Sequence, residues 1–295
     1  MKKTIFTGAA TAIITPMNPD FSINYETFGK LIDFQIDEGI DAIVVCGTTG
    51  EASTMTDEEH IEVIKYCVNR VAKRVPVIAG TGSNDTLYAT ELSKAAEAAG
   101  ADALLLVTPY YNKTSQRGLV KHFSHTADAV NIPIMLYNVP SRTGISIGIE
   151  AYKELSKHPM INATKEASGD FSLIAKIFAE CGEDLNVYSG NDDQFLPMIA
   201  MGGKGVISVL SNVIPKVTAK IAKLSLDGNY PEAAALMNKY LELANNLFID
   251  TNPIPVKQAA AMMKLCDETM RLPLIPMEEA KTAKLKATLD KLGLL

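Results

Sequence analysis

The strongest constraint on the fold of this chain is a regular alternation of short apolar runs and amphipathic segments across its first 227 residues. The runs are bounded by turn-prone residues and are rich in Val, Ile, Leu and Ala, which is typical of buried parallel strands. The predicted strands are Ala9–Ile14, Ala42–Cys46, Val75–Ala79, Ala103–Val107, Pro133–Tyr137, Ile161–Lys165, Leu185–Ser189 and Gly205–Val209. Each is followed by a helical pattern, so the sequence predicts an α/β protein with a (β/α)8 TIM barrel.

A quasi-repeat supports this period, because Glu38-Gly-Ile-Asp-Ala-Ile-Val-Val resembles Ala99-Gly-Ala-Asp-Ala-Leu-Leu-Leu two βα units later. A doubly wound open sheet is the competing interpretation. It is less favoured, since no strand precedes a complete Gly-x-Gly-x-x-Gly turn and Gly80-Thr-Gly82 is only a fragment of one.

The strand pattern ends near Asn212, and the segment Ile214–Leu226 is predicted to complete the eighth unit as a helix. Three further amphipathic helices are then predicted: Pro231–Ile249, Pro255–Cys266 and Met277–Leu292. We therefore expect a catalytic barrel over residues 1–227 and a helical region over residues 228–295 that packs on it.

Composition excludes several classes of function. The net charge of −6 and the lack of a basic stripe argue against a nucleic-acid surface, and no apolar stretch is long enough to span a bilayer. The cysteines are scattered without metal-ligand spacing: Cys46, Cys67, Cys181 and Cys266. They fit a reducing compartment, and we expect a cytoplasmic protein.

Lys165 is the residue with the most informative position, because it closes the sixth predicted strand. The active site of such a barrel lies at the carboxyl ends of its strands. A desolvated lysine there can lose its proton and become a nucleophile. A surface lysine just past the strand end is the alternative interpretation of this segment alone.

The other strand ends carry phenols, hydroxyls, glycine-bracketed backbone amides and one guanidinium. These segments are Gly47–Glu51, Thr108–Asn112, Tyr137–Thr143, Ser189–Asp192 and Gly205–Ser208. The set suits carbonyl chemistry through a Schiff base on Lys165, with Tyr137 and Thr49 as proton shuttles. The backbone of Gly47–Gly50 can bind one carboxylate, and Arg142 can hold another with two parallel bonds.

No metal and no cofactor are expected, since the strand ends hold no cluster of histidines and carboxylates. The histidines are predicted on helices or helix ends away from this rim: His60, His122, His125 and His158. The face shared by His122 and His125 is predicted to be solvated.

Several of these segments carry a family resemblance. They are Gly47-Thr-Thr-Gly-Glu51, Pro109-Tyr-Tyr-Asn112, Tyr137-Asn-Val-Pro-Ser-Arg-Thr143, Lys165-Glu166, Gly190-Asn-Asp192, Gly205-Val-Ile-Ser208 and Asn252-Pro-Ile-Pro-Val-Lys257. Over essentially all its length, the chain resembles the dihydrodipicolinate synthase family of pyruvate-dependent class I aldolases, a superfamily that includes N-acetylneuraminate lyase. The resemblance implies condensation of pyruvate with L-aspartate 4-semialdehyde in lysine and diaminopimelate biosynthesis.

The resemblance also implies roles for individual residues. Lys165 would form the Schiff base with pyruvate, and Tyr137, Thr49 and Tyr111 would form the proton relay. In the family the last of these reaches into the site of a neighbouring subunit. The enzyme would therefore be a homo-oligomer, expected as a tetramer built from two tight dimers.

The remaining implied roles concern substrate binding. Thr48 and Thr49 would hold the pyruvate carboxylate, and Arg142 would receive the carboxylate of the semialdehyde. Gly190 and Ile207 would line the pocket through backbone groups.

Two alternatives to this function stay open at the level of sequence. One is another pyruvate-dependent aldolase acting on a sugar acid, although sialate lyases usually have serine in place of Thr48 and lack Arg142. The other is a catalytically inactive barrel that serves as a binding protein.

The resemblance further implies weak or absent feedback inhibition by lysine. Asp57 stands where a sensitive bacterial form carries histidine. Tyr88 stands where that form carries the glutamate that meets the ligand ammonium. Losing that carboxylate should weaken lysine binding.

Overall fold

Eight parallel strands close into a barrel in the computed structural model, which describes residues 2–295. The strands are β1 (Gly8–Ala12), β2 (Ala42–Val45), β3 (Val77–Gly80), β4 (Ala103–Val107), β5 (Ile134–Asn138), β6 (Ile161–Glu166), β7 (Asn186–Ser189) and β8 (Gly205–Ser208). They pair in chain order, and β1 closes the ring against β8 with Gly8 opposite Gly205. The predicted TIM barrel is confirmed, and the open sheet is excluded.

Helices alternate with the strands and continue past the last one. They are α1 (Tyr25–Asp37), α2 (Asp57–Val71), α3 (Thr86–Ala98), α4 (Gln116–Ala127), α5 (Pro140–Thr143), α6 (Ile149–Leu155), α7 (Phe171–Cys181), α8 (Phe195–Ala200), α9 (Pro215–Leu226), α10 (Tyr230–Asn246), α11 (Ile254–Met262) and α12 (Glu279–Leu292). No helix within residues 2–295 is long and apolar enough to cross a membrane.

Side chains alternate along each strand between two apolar cores. One core fills the inside of the barrel and includes Met135, Tyr188 and Ile207, while the other lies between the strands and the surrounding helices. The interior of the barrel is therefore packed rather than open. Side chains of the strands can therefore meet a ligand inside the barrel only at its rim.

The last three helices lie against the barrel helices and each other. Helix α10 packs on α9 and α12, and α11 packs on α12. The boundary between residues 227 and 228 stays a prediction.

The helical pattern that follows the seventh predicted strand begins at Asp192, but helix α8 begins only at Phe195. The reason is a tertiary bond. The Asp192 carboxylate accepts the backbone N–H groups of Val209 and Leu210, each at 2.9 Å, so the residue ties the end of β7 to the end of β8.

A buried ion pair joins the loop after β2 to helix α11. Lys257 Nζ lies 2.5 Å from Glu51 Oε1, and neither side chain is exposed to solvent. Lys257 also donates to the Thr269 carbonyl at 2.6 Å, and Glu51 Oε2 accepts the Arg271 backbone N–H at 3.3 Å. The C-terminal region is thus fastened to one of the rim loops.

Candidate active site

Lys165 lies at the carboxyl end of β6 with only 6% of its surface exposed. Its Nζ is 4.3 Å from the centre of the Tyr137 ring, which stands opposite it on the neighbouring strand β5. Burial lowers the pKa of Lys165 to about 8, because desolvation disfavours the ammonium; Asp192 opposes this shift and Arg142 adds to it. The buried interpretation of this lysine is therefore confirmed.

Tyr137 supplies a phenol beside this amine. Burial raises its pKa to about 12, against a smaller opposite effect of Arg142. The phenol therefore keeps its proton at neutral pH and can pass it to a group that gains negative charge.

A buried network fixes the end of strand β6. The two oxygens of the Glu166 carboxylate accept hydrogen bonds from the Asn138 side-chain amide, at 3.1 and 3.0 Å. One of these oxygens also accepts a hydrogen bond from the Tyr152 hydroxyl at 2.8 Å. The carboxylate also accepts the Ser168 backbone N–H at 2.9 Å. Because Glu166 follows Lys165 directly, the network holds the backbone that carries the amine.

Gly190, after β7, leaves room for the lysine chain. A Cβ at this position would lie 2.9 Å from Lys165 Cε and 2.7 Å from Ala167 Cβ, closer than side chains tolerate. The glycine is needed here for close approach and not for its backbone angle.

The loop after β2 forms a short 3-10 turn over Thr48–Gly50. Thr49 is buried, and its hydroxyl oxygen accepts the Asn252 side-chain N–H at 3.0 Å. Thr48 is exposed on the same turn. The turn therefore carries one buried hydroxyl, on Thr49, and one exposed hydroxyl, on Thr48.

Arg142 lies on the single-turn helix α5 after β5. One of its terminal nitrogens donates to the Asn252 carbonyl at 3.1 Å. The guanidinium is otherwise exposed, so it can receive an anion from solution.

These groups line one cavity of about 750 Å³ at the carboxyl ends of the strands. The predicted site residues that line it are Thr48, Thr49, Tyr137, Arg142, Lys165 and Gly190. Its size is that of an ordinary small-molecule site. An amine, a phenol, hydroxyls and a guanidinium thus line one space that is large enough for two small molecules.

Two predicted site residues lie apart from this cavity. Ile207 is fully buried in the core inside the barrel, below the rim. Tyr111 is 92% exposed and does not line the cavity of its own chain. Neither residue is among those that line the cavity.

Sequence reasoning also missed groups at the site. Asn252 lines the cavity, and its buried Oδ1 has no hydrogen-bond partner among residues 2–295. Its motif contributed to the family resemblance, but no role was inferred for it. His60 is on a helix as expected, but the expectation that it lies away from the rim is wrong, because it lines the cavity and bonds the Gly80 carbonyl at 2.8 Å.

The expectation of a solvated His122 is also wrong. Its ring is buried, and Nδ1 lies 2.8 Å from the Thr86 hydroxyl on the neighbouring helix. Within residues 2–295, no three side chains of His, Cys, Asp or Glu are grouped so that they could hold a metal ion.

Comparison with known proteins agrees with this geometry. The model of the dihydrodipicolinate synthetase family matches residues 5–292. A 4-hydroxy-tetrahydrodipicolinate synthase of Acetivibrio thermocellus is 53% identical over 295 residues, which is 100% of both chains. One of Clostridium perfringens is 52% identical over 291 residues, covering 99% of this chain and 100% of the relative.

A solved structure agrees as well. The chloride-inhibited dihydrodipicolinate synthase of Acinetobacter baumannii, solved with pyruvate, superposes with a TM-score of 0.97 at 41% identity. The match covers 99% of this chain and 100% of that one.

Proposed function

Because the chain belongs to the dihydrodipicolinate synthetase family, we propose that it acts through Lys165 as the covalent amine. Its function is that of a 4-hydroxy-tetrahydrodipicolinate synthase, a class I aldolase-type lyase of lysine and diaminopimelate biosynthesis. The substrates are pyruvate and L-aspartate 4-semialdehyde. The observation that carries the proposal is a buried rim lysine with a pKa near 8 beside a protonated phenol.

The first step is attack of the neutral Lys165 amine on the ketone carbon of pyruvate. The pyruvate carboxylate lies against the turn of Thr48 and Thr49, where hydroxyl and backbone N–H groups can donate to it. Water leaves as the imine forms. At pH 8 about half of a lysine with this pKa is neutral, so the amine is ready without a strong base.

In that first step Tyr137 gives a proton to the hydroxyl that leaves as water, and Thr49 and Tyr111 connect this phenol to solvent. In the second step the Tyr137 phenolate takes a methyl proton from the protonated imine, which restores the phenol and produces the enamine. The enamine carbon then forms a bond to the aldehyde carbon of the semialdehyde, whose oxygen is protonated through the relay. Arg142 holds the carboxylate of that second substrate.

The backbone groups of Gly190 and Ile207 complete the pocket in this proposal. The role of Gly190 is supported by its position, because it lines the cavity and lies directly against the Lys165 side chain. Ile207 would act from below, through the backbone of β8 that pairs with Ala10 on β1.

Tyr111 requires a second subunit in this proposal. Its side chain is almost fully exposed on its own chain, as a residue that enters a neighbour's site would be. We therefore propose a homo-oligomer, with a tetramer built from tight dimers as its form. The four free thiols support a place in the cytoplasm.

Covalent trapping tests the role of Lys165. Pyruvate with borohydride should add one reduced adduct to the protein, and peptide mapping should place it on Lys165. Lys165→Ala should remove the adduct and lower turnover by orders of magnitude, because the enamine route is lost.

The matched control is Lys204→Ala, since Lys204 directly precedes β8 at the opposite end of the barrel. It should keep both the adduct and the turnover. An adduct mapped to another lysine would contradict the assignment.

A further inference from the structure

We propose that Asn252 is a positioning residue that sets the direction of the proton relay by donating to Thr49. This inference rests on the proposed function. It gives the C-terminal region a part in a reaction that the strand ends of a barrel usually carry alone.

Asn252 lies between α10 and α11, outside the eight βα units. Its side chain is 6% exposed and lines the cavity. The residue makes two contacts there: its Nδ2 donates to Thr49 Oγ1 at 3.0 Å, and its carbonyl accepts from Arg142 at 3.1 Å. One residue thus touches a group on the pyruvate side and a group on the semialdehyde side.

The chemistry of the amide fixes the direction of the hydroxyl. A hydroxyl has one proton to donate and two lone pairs to accept with. Because an Asn252 N–H already points at the Thr49 oxygen, the Thr49 proton must point elsewhere. It is then free to point into the cavity, which Tyr137 lines and which the substrate would occupy.

A second contact helps to hold Asn252 at hydrogen-bond distance from Thr49. Glu51 is two residues after Thr49, and its ion pair with Lys257 joins the same rim loop to helix α11, which begins two residues after Asn252. With both bonds in place, the rim loop is tied to α11 and to the residues just before it. The N–H donor of Asn252 is held in position, which lowers the entropy cost of the bond.

Two variants of Asn252 separate donation from mere packing. Asn252→Ala removes the donor but keeps the carbonyl that Arg142 uses. We expect kcat to fall about tenfold, the upper end for one neutral hydrogen bond, while KM for the semialdehyde changes less than about twofold.

Asn252→Asp keeps the shape and reverses the bond. An ionised carboxylate only accepts, so Thr49 must donate to it and leave the relay. We expect kcat to fall about a hundredfold, the lower range for general acid–base catalysis. Position 252 is buried, and burial raises the pKa of a carboxyl, so part of the Asp side chain should be protonated near pH 6 and donate again. The ratio of variant to wild-type kcat should therefore rise as pH is lowered from about 9 to about 6.

A double-mutant cycle shows whether Asn252 acts through Thr49. In a Thr49→Val background, Asn252→Asp should cause no further loss of kcat, because the group it orients is gone. Equal losses in both backgrounds would overturn the inference.

Asn246 provides the matched control. It is a buried asparagine of α10 that donates to the Thr288 hydroxyl at 2.8 Å, and it does not line the cavity. Asn246→Ala should lower the melting temperature as Asn252→Ala does, but it should leave kcat and the pH profile unchanged.

The outcomes distinguish this inference from the function on which it rests. If the wild type traps pyruvate on Lys165 but the kcat of Asn252→Asp equals the wild-type kcat at every pH, the inference alone fails. If the wild type traps no pyruvate, the proposed function fails, and this inference fails with it.

Discussion

The Glu51–Lys257 pair allows a quantitative test of how the C-terminal region supports the site. Both side chains are fully buried, and their charged atoms are 2.5 Å apart. Glu51→Gln removes one charge and leaves the Lys257 ammonium without its counterion. Breaking a buried pair on one side costs about 3–5 kcal/mol of unfolding free energy, because the remaining charge is desolvated without compensation.

For a chain of this size, that loss lowers the melting temperature by about 5–8 °C. The measurement is thermal unfolding of Glu51→Gln, Lys257→Met and the double variant at one protein concentration. The double variant should be more stable than either single variant, because it leaves no unpaired buried charge. Turnover should fall in the single variants as well, since the pair holds the turn of Thr48 and Thr49.

The surface pair Glu26–Lys30 is the control. Its charged atoms are also close, at 2.7 Å, but its side chains are 81% and 69% exposed. Glu26→Gln should have the same melting temperature as the wild type, because solvent screens an exposed pair. A single variant of the buried pair that also melts with the wild type would refute the reasoning. So would a double variant whose loss equals the sum of both single losses.

Four further expectations follow from the site. The kcat/KM for pyruvate should rise with pH up to about 8 and then level, because only the neutral Lys165 amine reacts; a profile that falls over this range would contradict the assignment. Arg142→Ala should weaken use of the semialdehyde about 30- to 1,000-fold with little effect on pyruvate, which steady-state kinetics with each substrate varied would show. Mixing Tyr111→Phe with Lys165→Ala should restore some activity after subunit exchange, and no recovery after verified exchange would place the relay within one chain. A lysine titration near KM should show little inhibition at millimolar concentration, because the Tyr88 hydroxyl already donates to Asp57 at 2.6 Å; a plateau of inhibition below about 1 mM would contradict this.

The arrangement of the barrel could be predicted from the chain because its signals are local. Apolar runs such as Ala103–Val107 and the helical pattern of Asp57–Val71 depend on neighbours a few residues apart. Once eight such units close in order, the carboxyl ends of all strands meet at one rim. Lys165, Tyr137 and Thr49 were therefore correctly expected at one rim without any knowledge of the distances between them.

Other features depend on contacts that no local pattern records. Thr49 meets Asn252 across 203 positions, and Glu51 meets Lys257 across 206. His60 reaches the cavity because α2 packs beside β3, whose Gly80 carbonyl bonds its ring. An asparagine or a lysine in a helical region looks the same in sequence whether it faces solvent or a partner.

The sequence by itself determined the order of strands and helices, and with it the set of side chains at the rim. Only the tertiary structure decided how deeply Lys165 is buried and which distant residues hold the loop of Thr49. The physical reason is that periodicity follows from the backbone geometry of a few consecutive residues. Desolvation and hydrogen-bond pairing depend instead on everything that closure of the whole chain brings into contact.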